Sequence, residues 1–193
     1  MVDTIRSFIA FNLPSDILDH ASSLQSDLKA RGLRLRWVRP QNLHLTLKFL
    51  GDIPTAIVDD VGHALRHASR GAAPLALTVQ GMGAFPSIRR ARVLWIGLGG
   101  QIEELELLYS RIEDELANLG LAREKRGFKA HLTLARIKEP VAPQQLSAAV
   151  QEVGSYAPRS FWGRQLILYK SDLRPQGAVY TPMVEIYLNP ENT

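Results

Sequence analysis

The chain reads as an α+β fold: a bilobal, pseudo-two-fold duplication with two mostly antiparallel sheets flanking a central cleft and helices outside. Two observations predict it. The tetrapeptide His-Leu-Thr-Leu occurs twice, at His44–Leu47 and His131–Leu134, each inside an alternating apolar/polar run typical of a half-buried strand. The same offset of 87 positions relates the flanking segments, defining repeats of about 13–99 and 100–186 in one two-lobed unit spanning 1–193.

The elements follow in order. Ile5–Phe11 predicts an opening strand. A helix is expected from Ser15, whose hydroxyl suits a cap, to Gly32, a left-handed terminator. Its counterpart carries Ile102, Leu105, Leu108, Ile112, Leu116 and Leu119 as an apolar stripe closed by Gly120. After the first tetrapeptide Pro54 opens a helix to about Arg70; after the second, Pro140 and Pro143 open one to about Val153. Strands are expected at Leu75–Val79, Val93–Ile96, Gln165–Tyr169 and Val179–Tyr187, and turns at Phe85-Pro86 and Arg174-Pro175-Gln176-Gly177.

Composition bounds the function. With 193 residues, 46% apolar and 22% charged, this is an ordinary globular chain. It has no cysteine, no charged-then-apolar leader and no apolar run of membrane-spanning length, which predicts a cytoplasmic protein with no membrane partner. Net charge is +4, and 17 of the 23 cationic residues are arginine, whose fork suits phosphate. A general preference for arginine over lysine explains the balance equally well. Placement adds weight, because Arg31, Arg34, Arg36 and Arg39 precede the first tetrapeptide, and Arg123, Lys125, Arg126 and Lys129 the second.

In a strand, residues i and i+2 share one face, so each copy presents an imidazole beside a hydroxyl while its leucines point into a core. One such pair is an ordinary exposed strand face. Two at matched positions, converging on one cleft, supply two acid/base groups and two small donors around an anion, which suits phosphodiester chemistry. Arg136 is the first candidate for added positive charge, but strict alternation turns it away from His131 unless a bulge, strand end or twist intervenes. Two histidines with two threonines make a poor ligand set for zinc or magnesium, so neither metal nor cofactor is expected. His63 and His67, four apart on a helix, lack the glutamate of a zinc protease and read as a solvated face; His20 reads as a surface helix residue. Gly97-Leu98-Gly99-Gly100 misses the spacing of a dinucleotide loop and reads as a tight strand-to-helix turn.

The segments Asn42–Gly51 (NLHLTLKFLG) and Arg126–Arg136 (RGFKAHLTLAR) closely resemble the two motifs of the two-histidine phosphoesterase superfamily, within it the bacterial and archaeal RNA 2′,3′-cyclic phosphodiesterases, also called 2′-5′ RNA ligases. The likeness extends to Arg6–Ala10, Trp37-Val38, Gly83–Pro86, Arg92–Trp95 and Ser171–Leu173; Ala130 departs from it, where the family usually has proline. The resemblance implies hydrolysis of an RNA 2′,3′-cyclic phosphate to a 2′-phosphate without metal. It implies His44 as proton donor, His131 as proton acceptor, and Thr46, Thr133 and Arg136 as phosphate-binding residues. The partners it implies are RNA ends carrying the cyclic phosphate, tRNA halves among the candidates. Reversible 2′-5′ joining of RNA halves and a non-catalytic nucleotide- or RNA-binding module are the alternatives. A monomer is the default state. Base-stacking residues are guessed as Phe128 or Phe11.

Overall fold

The structure is a computed structural model describing residues 3–175 and 177–189; Gln176 of the expected turn lies outside them. In chain order the elements are β1 (Thr4–Phe11), α1 (Ser15–Ala30), β2 (Arg36–Trp37), β3 (Leu45–Pro54), α2 (Val58–Ala68), β4 (Leu75–Phe85), β5 (Val93–Gly100), α3 (Ile102–Asn118), β6 (His131–Arg136), α4 (Pro143–Val153), β7 (Arg159–Gly163), β8 (Gln165–Arg174) and β9 (Gly177–Tyr187). The short strands β2 and β7 have no counterpart among the sequence expectations. Gly97 to Gly100 continue β5, and the chain turns into α3 only at Gly100, where φ is +87°.

All strand pairings are antiparallel. The expected two sheets are two sides of one hydrogen-bonded path, β7-β4-β5-β6-β3-β1-β8-β9, with β2 on β6. The sides meet where β3 and β6 register at a single residue pair, Leu45 with Leu132. Both leucines are fully buried and join one apolar core with Leu24 and Leu28 of α1, Leu65 of α2, Ile112 and Leu116 of α3 and Leu146 of α4. All four helices thus cover the leucine face, α1 against α4 and α2 against α3, leaving the histidine face open.

The ends of α1 and α3 show local chemistry acting as the sequence predicts. Gly32 and Gly120 both have φ of +79°. Leu33 N–H donates to the Leu28 carbonyl and Leu121 N–H to the Leu116 carbonyl, closing a Schellman motif at each end. The expected cap at Ser15 is not made: Pro14 occupies the N-cap position, with no side-chain capping bond.

Two β-bulges shape the centre. Against β1, Thr46 faces Ala10 and Lys48 faces Ile9, so Leu47 is the extra residue of β3. Against β5, Thr133 faces Trp95 and Ala135 faces Leu94, so Leu134 is the extra residue of β6. A bulge resets the alternation. Leu47 and Lys48 are consecutively buried, as are Leu134 and Ala135, and the next residues, Phe49 and Arg136, are exposed.

A helix on the far side of the core pins each bulge with a buried polar side chain. Gln25 of α1 donates to the carbonyls of Leu134 (3.0 Å) and Val38 (2.8 Å). Glu113 of α3 pairs with Lys48 Nζ at 2.6 Å, and Lys48 also donates to the Ala122 carbonyl at 2.8 Å. Glu113 Oε2 accepts from the Glu124 N–H at 3.0 Å. Such groups are tolerated in a core only when so satisfied.

Candidate active site

The single Leu45–Leu132 pair organises the site. Residues flanking an antiparallel pair lie opposite one another on the other face, so His44 comes beside Thr133 and Thr46 beside His131. Opposed side chains of this kind start from Cβ atoms roughly 4.5–5.5 Å apart. The four groups therefore form a quartet on the face opposite the leucines, and the charges of His131 and Arg136 both act on His44.

Both rings are held alike. His44 Nδ1 lies 2.7 Å from the Asn42 carbonyl, and His131 Nδ1 lies 2.6 Å from the Lys129 carbonyl. A carbonyl only accepts, so Nδ1 carries the hydrogen in each neutral ring, and Nε2 keeps its lone pair for the open face. One backbone bond thus sets tautomer and orientation together.

The surroundings of the two histidines differ. His44 packs on Phe8 (centroids 4.7 Å) and meets Tyr180 at 5.4 Å, edge to face. Phe8 also stacks on Tyr169 at 5.2 Å, so His44 has an aromatic enclosure. Burial lowers its pKa from 6.5 to about 4 against the Asn42 carbonyl, which raises it; the positive charges of His131 and Arg136 lower it further. His131 meets Phe85 edge-on at 5.0 Å, and its pKa is lowered mainly by burial, opposed by the Lys129 carbonyl. Phe85 lies against Trp95, whose ring crosses Gly83, where a Cβ would meet it at 2.5 Å.

The bulge at Leu134 returns Arg136 to the histidine side, the condition that strict alternation had set. It lines a cavity of about 920 Å³ with Arg6, Arg36, Lys138 and Arg174, and no carboxylate stands among the described lining residues. Of the two arginine clusters, Arg36 and Arg39 reach this cavity, while Arg31 pairs with Glu152 and Arg123 with Asp114. A second cavity of about 300 Å³ adjoins His44, between Asn42, Tyr169 and Tyr180.

Other expectations are corrected. Phe11 is fully buried in the core and offers no face for a base, while Phe128 is partly buried and stacks one face on Tyr109 at 4.4 Å. His20 is half-buried, edge-on to Tyr156 at 4.8 Å, not a free surface residue. His63 is exposed, and His67 pairs with Glu115 at 2.9 Å. Among the described residues no three histidine or carboxylate side chains gather where they could hold a metal ion, and no helix is long and apolar enough to cross a membrane. Of the aromatic residues around the quartet, Phe8 and Phe85 lie in segments that share the family likeness, while Tyr169 and Tyr180 carry no motif; the strand order of the sheet gathers all four.

Known proteins share this sequence pattern and fold. The sequence profile of the family described as "LigT like Phosphoesterase" matches residues 11–95 and again 96–180. The chain is 32% identical over 179 residues to the RNA 2′,3′-cyclic phosphodiesterase of Methanothermobacter thermautotrophicus, covering 93% of this chain and 96% of the relative. It is 31% identical over 187 residues to the protein of that name from Aquifex aeolicus, covering 95% and 97%. Among solved structures, it is similar to TT0787 of Thermus thermophilus (TM-score 0.78, 26% identity, 95% of this chain and 98% of that one). It is also similar to E. coli LigT complexed with 3′-AMP (TM-score 0.74, 25% identity, 96% and 99%).

Proposed function

The chain belongs to the LigT-like phosphoesterase family, and from that membership we propose that it opens RNA terminal 2′,3′-cyclic phosphates to 2′-phosphomonoesters by two-histidine acid/base catalysis without a metal. The observation that supports this reading is the Leu45–Leu132 pair, whose register puts His44, Thr46, His131 and Thr133 on one face of the sheet.

The cyclic phosphate sits among Thr46, Thr133 and Arg136, whose donors meet its non-bridging oxygens. His131 Nε2 takes a proton from water as the water oxygen bonds to phosphorus. The P–O3′ bond breaks in line, and His44 Nε2–H protonates the departing 3′ oxygen. The 2′ ester remains, and the two rings exchange protons with solvent to reset. The donor set, two imidazoles and two hydroxyls, supports a route that needs no metal. The assignment of donor and acceptor rests on family likeness, and the same likeness supports a single two-lobed unit built by internal duplication.

The test is incubation of the protein, in excess chelator, with an RNA ending in a 2′,3′-cyclic phosphate. The expected product is a 2′-phosphate end, formed at a rate the chelator does not change. A 3′-phosphate product, or abolition of turnover by chelator, counts against the mechanism. Appearance of 2′-5′ linked product from RNA halves with free 5′-hydroxyls would identify joining as a second activity of the same groups.

The lowered pKa values give a pH expectation. Turnover by the free protein requires one ring protonated and one neutral. Both rings are charged below the lower pKa and both are neutral above the upper one, so kcat/KM peaks between them, on the acid side of 6.5. Bound phosphate is an anion that raises both values, so kcat peaks at higher pH. A kcat/KM profile centred above pH 7 is the contrary result.

A further inference from the structure

We infer that the larger cavity is a subsite for the nucleotide preceding the cyclic-phosphate terminus, with Arg36 holding the intervening phosphodiester, Arg136 standing between that phosphate and the cyclic one and donating to both, and Phe49 stacking a base; this rests on the hydrolase reading above. The first observation is electrostatic. Arg36 and Arg136 are direct cross-strand partners in the β2–β6 ladder, so both point to the same face, and both are exposed on the cavity wall. Like charges directly opposite repel, and an anion between them turns the repulsion into a clamp. Neither has a carboxylate partner among the described residues, and Arg6 and Lys138 on the same cavity also lack one.

The second observation concerns Phe49. It is 61% exposed, although Leu47 and Lys48 just before it are buried, and it lies on the same cavity wall. The bulge at Leu47 turns it there, just as the bulge at Leu134 turns Arg136 from the other strand. Its ring lies 5.8 Å from that of Phe8, which is buried beneath the quartet's edge. An exposed aromatic face among unpaired cations matches the alternating base and phosphate of a single strand, and stacking one base on such a face is worth about tenfold or more in affinity.

The third is room. The small cavity beside His44, between Tyr169 and Tyr180, accommodates the terminal nucleoside, while the larger one, at about 920 Å³, is left for chain that a mononucleotide does not have. The preferred substrate is therefore an oligoribonucleotide end.

The experiment compares kcat/KM for adenosine 2′,3′-cyclic phosphate with that for a tetranucleotide ending in the same group, over a range of potassium chloride. The oligonucleotide should be favoured by at least about tenfold at low salt, with the advantage shrinking as salt rises. Arg36→Gln should raise KM for the oligonucleotide and flatten its log–log salt slope by about 0.7, the loss of one single-strand phosphate contact. Phe49→Ala should lower oligonucleotide kcat/KM about tenfold with the salt slope kept. Both side chains are exposed, so thermal melts should match the parent; if Phe49→Ala fails to fold, Arg36→Gln carries the test. Equal kcat/KM on the two substrates, or an unchanged slope in Arg36→Gln, overturns the subsite while leaving the hydrolase reading in place. Turnover of neither substrate overturns the hydrolase reading, and the subsite with it.

Discussion

Replacing either His44 or His131 by alanine should lower kcat on a 2′,3′-cyclic phosphate by ~10²–10⁴-fold, the range for a positioned proton donor or acceptor. The two rings act on opposite sides of one phosphorus, so once either is gone the other has little left to assist. The double variant should therefore be scarcely slower than the slower single one, a non-additivity typical of groups working as a unit. Single-turnover kinetics with saturating protein separate this from weakened binding. A loss below about tenfold in both single variants would remove the basis for two-histidine catalysis.

Stability measurements supply an independent check at His44. Its folded pKa lies below its unfolded value, so the folded state resists protonation. The stability held by the neutral ring is present above pH 6.5 and is lost as pH falls through the window from 6.5 to about 4. His44→Ala lacks that component, so urea unfolding should show a shallower acid decline than in the parent. Equal declines would mean that the ring titrates as though exposed.

The largest effect on folding is expected at Lys48. Its side chain and that of Glu113 are 4% and 5% exposed, taken in that order, and Tyr109, Ala122 and Glu124 complete the network. Lys48→Ala leaves a buried carboxylate with its counter-charge gone and should cost about 3–5 kcal/mol. In a chain of this length that corresponds to a fall in Tm of roughly 6–20 °C. The double variant Lys48→Met, Glu113→Leu should recover most of the loss, because apolar replacements of similar volume leave no uncompensated charge. Thermal and urea unfolding decide it; a single variant within about 1 kcal/mol of the parent would mean that water reaches the pair.

This pair also marks where sequence reasoning stops. Lys48 follows the first tetrapeptide and, by simple alternation, belongs on the histidine face with solvent access. The bulge at Leu47 sends it into the core and brings Phe49 out. At the equivalent place in β6 the same device buries Ala135 and brings out Arg136. Arg136 could be named from its charge and position only on condition of a bulge, strand end or twist, and Phe49 not at all, because a bulge is a property of two strands in register and leaves no mark on one. Phe11 shows the same limit: it is aromatic and near the first motif, but the core claims it.

By itself the amino-acid order determined the four helices and the longer strands, the glycine-terminated ends of α1 and α3, and the paired His-x-Thr units. These depend on contacts within a few residues, where periodicity and backbone preference act. Tertiary structure alone decided which residues the bulges turn toward the cavity, which aromatic rings enclose His44, and how far burial depresses its proton affinity. Those outcomes depend on strand register and on desolvation by distant segments, quantities that exist only once β3 and β6 have met at Leu45 and Leu132.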